Sequence, residues 1–148
     1  MASSLDSHLG YWLRLVSNHV TFRFTRKVEA QGVTVAEWVV LRQLLGQQEI
    51  TPSQLADQLG MTRGAVSKLI ERLCQKNLVE RQSLTEDRRY QHLGLTSAGQ
   101  ALVPVLARLA DENEAECFGH LSAGQQQALR TALQELARQH GWKETPVS

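Results

Sequence analysis

Between residues 62 and 76, Val66, Leu69, Ile70 and Leu73 recur at helical spacing. A helical wheel sets Gly64, Ser67, Lys68, Glu71 and Gln75 opposite them, with Arg63 and Arg72 on the flanks. This outer face opens on small residues and continues into long cations, an order that suits a nucleic-acid duplex. Hydroxyls such as those of Thr62 and Ser67 bond bases or phosphates, arginine bonds guanine in bidentate fashion, and lysine neutralises phosphate. Ser53 and Gln54 open a preceding helix whose N-terminal amides favour an anion, which makes them candidate phosphate donors. Arg88 and Arg89 lie in the polar stretch Leu84-Thr-Glu-Asp-Arg-Arg89. They suit a narrow minor groove, where negative potential concentrates. Asp87 beside them would repel DNA unless it serves to orient an arginine.

The competing reading of residues 62–76 is a solvated helix face on which Glu71 pairs with Lys68 and Arg72. The hairpin arginines and the helix-turn-helix spacing weigh against it. A second set, Trp12, His19, Trp38 and Arg42, has the chemistry for a small-molecule pocket: an indole wall and a titratable imidazole hold a phenolic carboxylate. The alternative for these four is core packing with an exposed histidine. The five histidines are scattered with no pair at i, i+4, so no metal site is expected, and His92 reads as structural or near a DNA backbone. Cys74 and Cys117 read as two buried, inert thiols rather than a disulfide framework.

The elements that must position these residues announce themselves through their caps. Thr34-Val-Ala-Glu37, Thr51-Pro-Ser-Gln54 and Ser122-Ala-Gly-Gln125 each place a hydroxyl at the cap and Glu or Gln three residues on. The apolar period predicts helices over roughly 5–30, 35–46 (Trp38, Val39, Leu41, Leu44, Leu45), 52–59 and 62–76, with Gly60 ending the third. The period then shortens to nearly 2, which predicts strands over 78–83 and 90–95 around a polar tip. A long helix follows from Thr96 or Ser97 to about Phe118, expected to bend at Pro104, and a last one covers about 123–140. The chain reads as one domain, 1–148. Within it, 34–96 is a winged helix-turn-helix, and 1–33 with 97–148 supply dimerisation helices whose apolar surface a two-fold partner would bury.

With 148 residues, 42% of them hydrophobic, the chain can bury a core without staples. Its net charge of +1 is unevenly spread: residues 61–92 hold seven basic against four acidic groups, net +3, while 93–148 are net −2. No stretch is apolar enough to span a membrane and no secretory signal opens the chain, so a cytoplasmic protein is expected. No P-loop, dinucleotide fingerprint, nucleophile elbow or zinc-hydrolase motif is present, so neither an enzyme nor a cofactor is expected.

Leu55-Ala-Asp-Gln-Leu-Gly-Met-Thr-Arg-Gly-Ala-Val-Ser-Lys-Leu-Ile-Glu-Arg-Leu73, Leu78-Val-Glu-Arg81, Glu86-Asp-Arg-Arg89 and Leu95-Thr-Ser-Ala-Gly99 together resemble the multiple-antibiotic-resistance regulator (MarR) family of bacterial transcription factors. The resemblance covers nearly the whole chain. It implies a mainly α fold with a small β-wing and a homodimer with interlocked terminal helices. It also implies a pseudo-palindromic duplex as partner and a small aromatic or anionic effector between the first helices and the DNA-binding part. The wing aspartate of such proteins holds the arginine two residues on, here Asp87 and Arg89. Asn77 departs from the family's usual glycine before the first wing strand, and asparagine is the best substitute for a left-handed helix stop. The expectation is a DNA-binding regulator, a repressor; the alternative is a protein-interaction or architectural winged-helix module without effector control.

Overall fold

In the computed structural model, which describes residues 1–83 and 91–143, the caps determine where helices begin. Thr34, Thr51 and Ser122 accept the amides of Glu37, Gln54 and Gln125, whose side-chain oxygens accept the caps' own amides in return. Each reciprocal pair satisfies two N–H groups that the helix cannot. These boxes start α2 (Val35–Leu44), α3 (Pro52–Leu59) and α6 (Ala123–His140), while Thr62 and Thr96 cap α4 (Arg63–Gln75) and α5 (Ser97–Phe118) with single bonds. The first helix is shorter than the expected 5–30. A 3-10 turn at Leu5–Ser7 gives way at His8, whose extended backbone separates it from α1 (Leu9–Glu29). Helix α2 stops at Leu44 rather than 46. Leu45 turns out to solvent at 39% exposure, and Val40 takes an inward position that the expected apolar period omitted.

The stops are equally local. Gly60 closes α3 with φ 66, and Asn77 follows α4 with φ 60, the left-handed geometry expected for it. The Leu78 amide reaches back to the Leu73 carbonyl (2.9 Å) and that of Asn77 to Cys74 (3.0 Å), satisfying two end-of-helix acceptors. The chain then enters β1 (Val79–Ser83), which pairs antiparallel with β2 (Gln91–Leu95), Val79 opposite Leu95 and Ser83 opposite Gln91. Asp87, Arg88 and Arg89, and Tyr90 of the expected second strand, lie outside the described residues. The hairpin is stitched to the α2–α3 loop by the Leu93 amide, which donates to the Ile50 carbonyl at 2.8 Å. Among the described residues, six helices and this hairpin make a mainly α winged helix-turn-helix.

Its core gathers Val28, Leu41, Leu55, Leu73, Leu93 and Leu106, one from each of α1 to α4, the hairpin and α5. Each such side chain contributes about 1.5–3 kcal/mol by leaving water. Helix α5 continues through Pro104 and begins hard against the hairpin. A Cβ on Gly99 would lie 2.2 Å from the Leu78 carbonyl oxygen, so only glycine allows this approach. The Thr96 hydroxyl donates to the Asn77 carbonyl at 2.7 Å across the same junction. Helix α6 buries none of its residues. Leu129, Leu133 and Leu136 on it, with Leu9, Trp12, Leu13 and Val16 on α1, stay 40–81% exposed around an apolar cavity of about 510 Å³. Cys74 and Cys117 are half-buried free thiols, more accessible than expected. Among the described residues no helix is long and apolar enough to cross a membrane.

Candidate nucleic-acid interface

Helix α4 divides cleanly. Val66, Leu69, Ile70 and Leu73 are buried, and Arg63, Gly64, Ser67, Lys68, Glu71, Arg72 and Gln75 lie on the outer side, as the wheel predicts. The Thr62 hydroxyl accepts the Ala65 amide at 3.1 Å, so its proton remains available to an outside acceptor. The first-turn amides of Arg63 and Gly64 lie beyond the reach of the helix's own carbonyls and favour an anion. Gly64 is informative because the fold does not require it. A Cβ there meets nothing within 4 Å, and the backbone is ordinary helix. Its smallness leaves the outside low rather than the inside loose.

Helix α3 packs against α4 after the tight turn at Gly60, and at its start Ser53 is half-buried and Gln54 exposed. The Gln54 carbonyl oxygen is committed to its cap, which leaves the amide nitrogen as the donor it can offer. The face is therefore a surface of small residues, hydroxyls and flanking cations that can bond phosphates and base edges.

The four expected pocket residues do not share a cavity. Trp12 lines the apolar groove between α1 and α6, and its indole N–H donates to the Asp6 carbonyl at 2.8 Å. His19 lines a smaller recess of about 260 Å³ with Arg23, Glu116 and Cys117. Trp38, half-buried, and Arg42, exposed, line neither. A cavity of about 610 Å³ instead opens between α1, α5 and the start of α2, walled by Thr21, Phe22, Phe24, Val35, Ala110 and Asn113. Asn113 is buried. Its amide nitrogen donates to the Val20 carbonyl at 3.2 Å, while its Oδ1 has no partner among the described residues. Nothing in the periodicity separates such an asparagine from an ordinary outward position of α5.

Two ion-paired clusters also escape the linear sequence. Arg23 and Lys27 of α1 meet Glu116 of α5 at 2.7 and 3.2 Å. The Arg23 hydrogen bond holds the Glu116 carboxyl below its ordinary value, with Lys27 adding to it, and Glu116 raises Arg23 in return. The second cluster joins Lys76, at the end of α4, to Glu37 at 2.8 Å. Glu37 is fully buried, so removing its cation costs on the order of 3 kcal/mol, the low end of the range because Lys76 remains 39% exposed. The capping box was legible; the burial of its glutamate was not.

Comparison with known proteins follows the same outline. The MarR family model matches residues 31–89, a stretch that begins in the α1–α2 turn and takes in α2, α3, α4 and β1. The HTH-type transcriptional repressor MdtR of Bacillus subtilis is 33% identical over 98 residues, 66% of this chain and 63% of that protein, so the match spans under two thirds of the relative's length. The structure of a mutant MarR from E. coli complexed with operator DNA superposes with a TM-score of 0.76 at 25% identity, over 86% of this chain and 92% of that one. Over residues 31–89 the chain is similar to the MarR family. A third likeness, of fold alone at 23% identity, is to BpsR of Bordetella bronchiseptica, whose DNA binding is regulated by 6-hydroxynicotinic acid. It has a TM-score of 0.79 over 93% of this chain and 98% of that one. In MarR-family terms, α3 and α4 are the helix-turn-helix and the β1–β2 hairpin is the wing.

Proposed function

We propose that this chain is a MarR-family regulator, a homodimeric, sequence-specific DNA-binding repressor that acts in the cytoplasm and performs no catalysis. The observation that carries the reading is the outer face of α4, where Gly64 is small for no internal reason and Arg63, Lys68 and Arg72 stand free of the core. In this reading α4 enters the major groove and Thr62, Arg63, Gly64 and Ser67 meet base edges. Ser53, Gln54, Lys68 and Arg72 hold phosphates. Asp87, Arg88 and Arg89 act at the wing tip, with Asp87 orienting Arg89 toward a flanking minor groove. Residues 34–96 are the DNA-binding part, and 1–33 with 97–148 pair the subunits through the exposed leucines of α1 and α6.

The effector belongs in the 610 Å³ cavity rather than among Trp12, His19, Trp38 and Arg42. Phe22 and Phe24 offer aromatic walls, and the unpaired Asn113 Oδ1 accepts a hydrogen bond, which suits a small aromatic acid or phenol. Binding there releases DNA only if the released form holds the ligand more tightly.

Selection of bound sites from random duplexes tests the function. The expected product is an inverted repeat with half-site centres about one helical turn apart. Equal recovery of unrelated sequences would replace the repressor by an architectural DNA-binding module.

A further inference from the structure

The α1–α2 turn, the start of α2 and the end of the recognition helix α4 meet at one buried carboxylate. Glu37 Oε1 accepts the Thr34 amide and the Lys76 ammonium, each at 2.8 Å, and Lys76 also donates to the Gly32 carbonyl at 2.9 Å. A cap needs only the first of these bonds. The other two capping boxes use Gln54 and Gln125, which are neutral and exposed, so neither charge, burial nor a lysine is required to start a helix here. Glu37 is charged and fully buried, and its second oxygen, Oε2, is buried without a partner among the described residues. Two residues before it, Val35 forms the α2 side of the 610 Å³ cavity.

We propose that Glu37 and Lys76 are positioning residues that couple this cavity to the recognition helix. A shift of the Val35 wall moves the first turn of α2, the carboxylate moves with it, and Lys76 carries the shift into the last turn of α4. The free Oε2 gives the ammonium a second seat on the same carboxylate. The coupling requires that second arrangement, with the ammonium on Oε2, beside the one in place on Oε1. A pair that only stabilised the fold would have no reason to join the cavity wall to this one helix end.

Ala110→Phe, which fills the cavity from the α5 side, stands in for a ligand. Amide hydrogen exchange over residues 70–77 is measured for this substitution in three backgrounds: wild type, Lys76→Arg, and Glu37→Gln/Lys76→Met, which removes both charges so that no buried carboxylate is left unpaired. Thermal melts check that each folds, and Thr21→Phe replaces any cavity variant that does not. The expected result is a change of at least about threefold in exchange in wild type and Lys76→Arg, and none in the double variant. The same change in all three backgrounds, or none in wild type, would overturn the proposal.

A second readout alone rests on the DNA-binding reading: affinity for a selected operator relative to random DNA. Glu37→Gln and Lys76→Met should each lower that ratio. If Lys76→Met instead weakens both affinities equally and reduces the salt slope by about one, while Glu37→Gln does nothing, Lys76 is a phosphate contact and the proposal fails. If no operator can be selected, the DNA-binding reading fails and hydrogen exchange still decides the coupling.

Discussion

The helix-turn-helix and the terminal helices handle apolar surface in opposite ways. Helix α4 buries all four of its large aliphatic side chains within the chain and turns only polar residues and glycine outward. Helix α6 buries nothing and holds Leu129, Leu133 and Leu136 at 40–45% exposure around a groove shared with the exposed Leu9 and Leu13 of α1. One region is finished by its own chain and, in the proposed function, presents its polar chemistry to DNA. The other is left unfinished, and in the proposed dimer a second copy completes it. The contrast also explains the near-zero net charge, in which a +3 central segment is offset by an acidic C-terminal part.

The largest effect that would break this contrast is expected at the groove. Leu133→Asp should abolish the dimer and weaken operator binding on the order of 100-fold or more, since the two half-sites no longer bind as one. Analytical ultracentrifugation and a mobility-shift titration of the same preparation check both. In the finished region Leu73→Ala should instead lower unfolding stability by about 2–5 kcal/mol in chemical denaturation, through a cavity beneath α4. Next in size, Arg63→Ala or Lys68→Ala should cost about 1–3 kcal/mol of operator affinity with an unchanged melt. Relaxed sequence preference marks a base contact, and a shallower salt dependence marks a phosphate contact.

Much of this was legible because the signals are local. The three capping boxes start helices where Thr34, Thr51 and Ser122 indicate, Asn77 adopts the left-handed stop, and the wing strands begin within a residue of their expected places. The residues of α4 sort correctly because burial on an isolated amphipathic helix follows its period. What failed depends on which helices lie side by side. Trp12 and His19 share one helix but look into different cavities, while the 610 Å³ cavity proposed for the effector is assembled from Val35 and Asn113, 78 positions apart. Leu45 fits an apolar period, yet it lies past the end of α2 and faces water. Glu37 reads only as part of a cap, because the lysine that accompanies its burial arrives 39 residues later.

Two smaller predictions sharpen the contrast. Gly64→Ala should hold or raise stability by up to about 1 kcal/mol, since alanine is the better helix former and the space is open, while operator affinity falls. A loss of stability instead would place Gly64 in the fold rather than at the interface. The smallest effect is expected at the α1–α5 clasp. The Glu116 carboxyl titrates below its ordinary 4.5, so its contribution is present above that value and is lost as pH falls through the lowered one. Melts of wild type and Glu116→Gln should therefore differ slightly at pH 7 and converge in acid.

The division between a finished and an unfinished region is tested most directly by sedimentation equilibrium of the full chain, alone and with a selected operator duplex. The account predicts a species of twice the chain mass across the micromolar range and two chains per duplex, both lost in Leu133→Asp. A wild-type chain that sediments as a monomer and binds the operator one to one would contradict it.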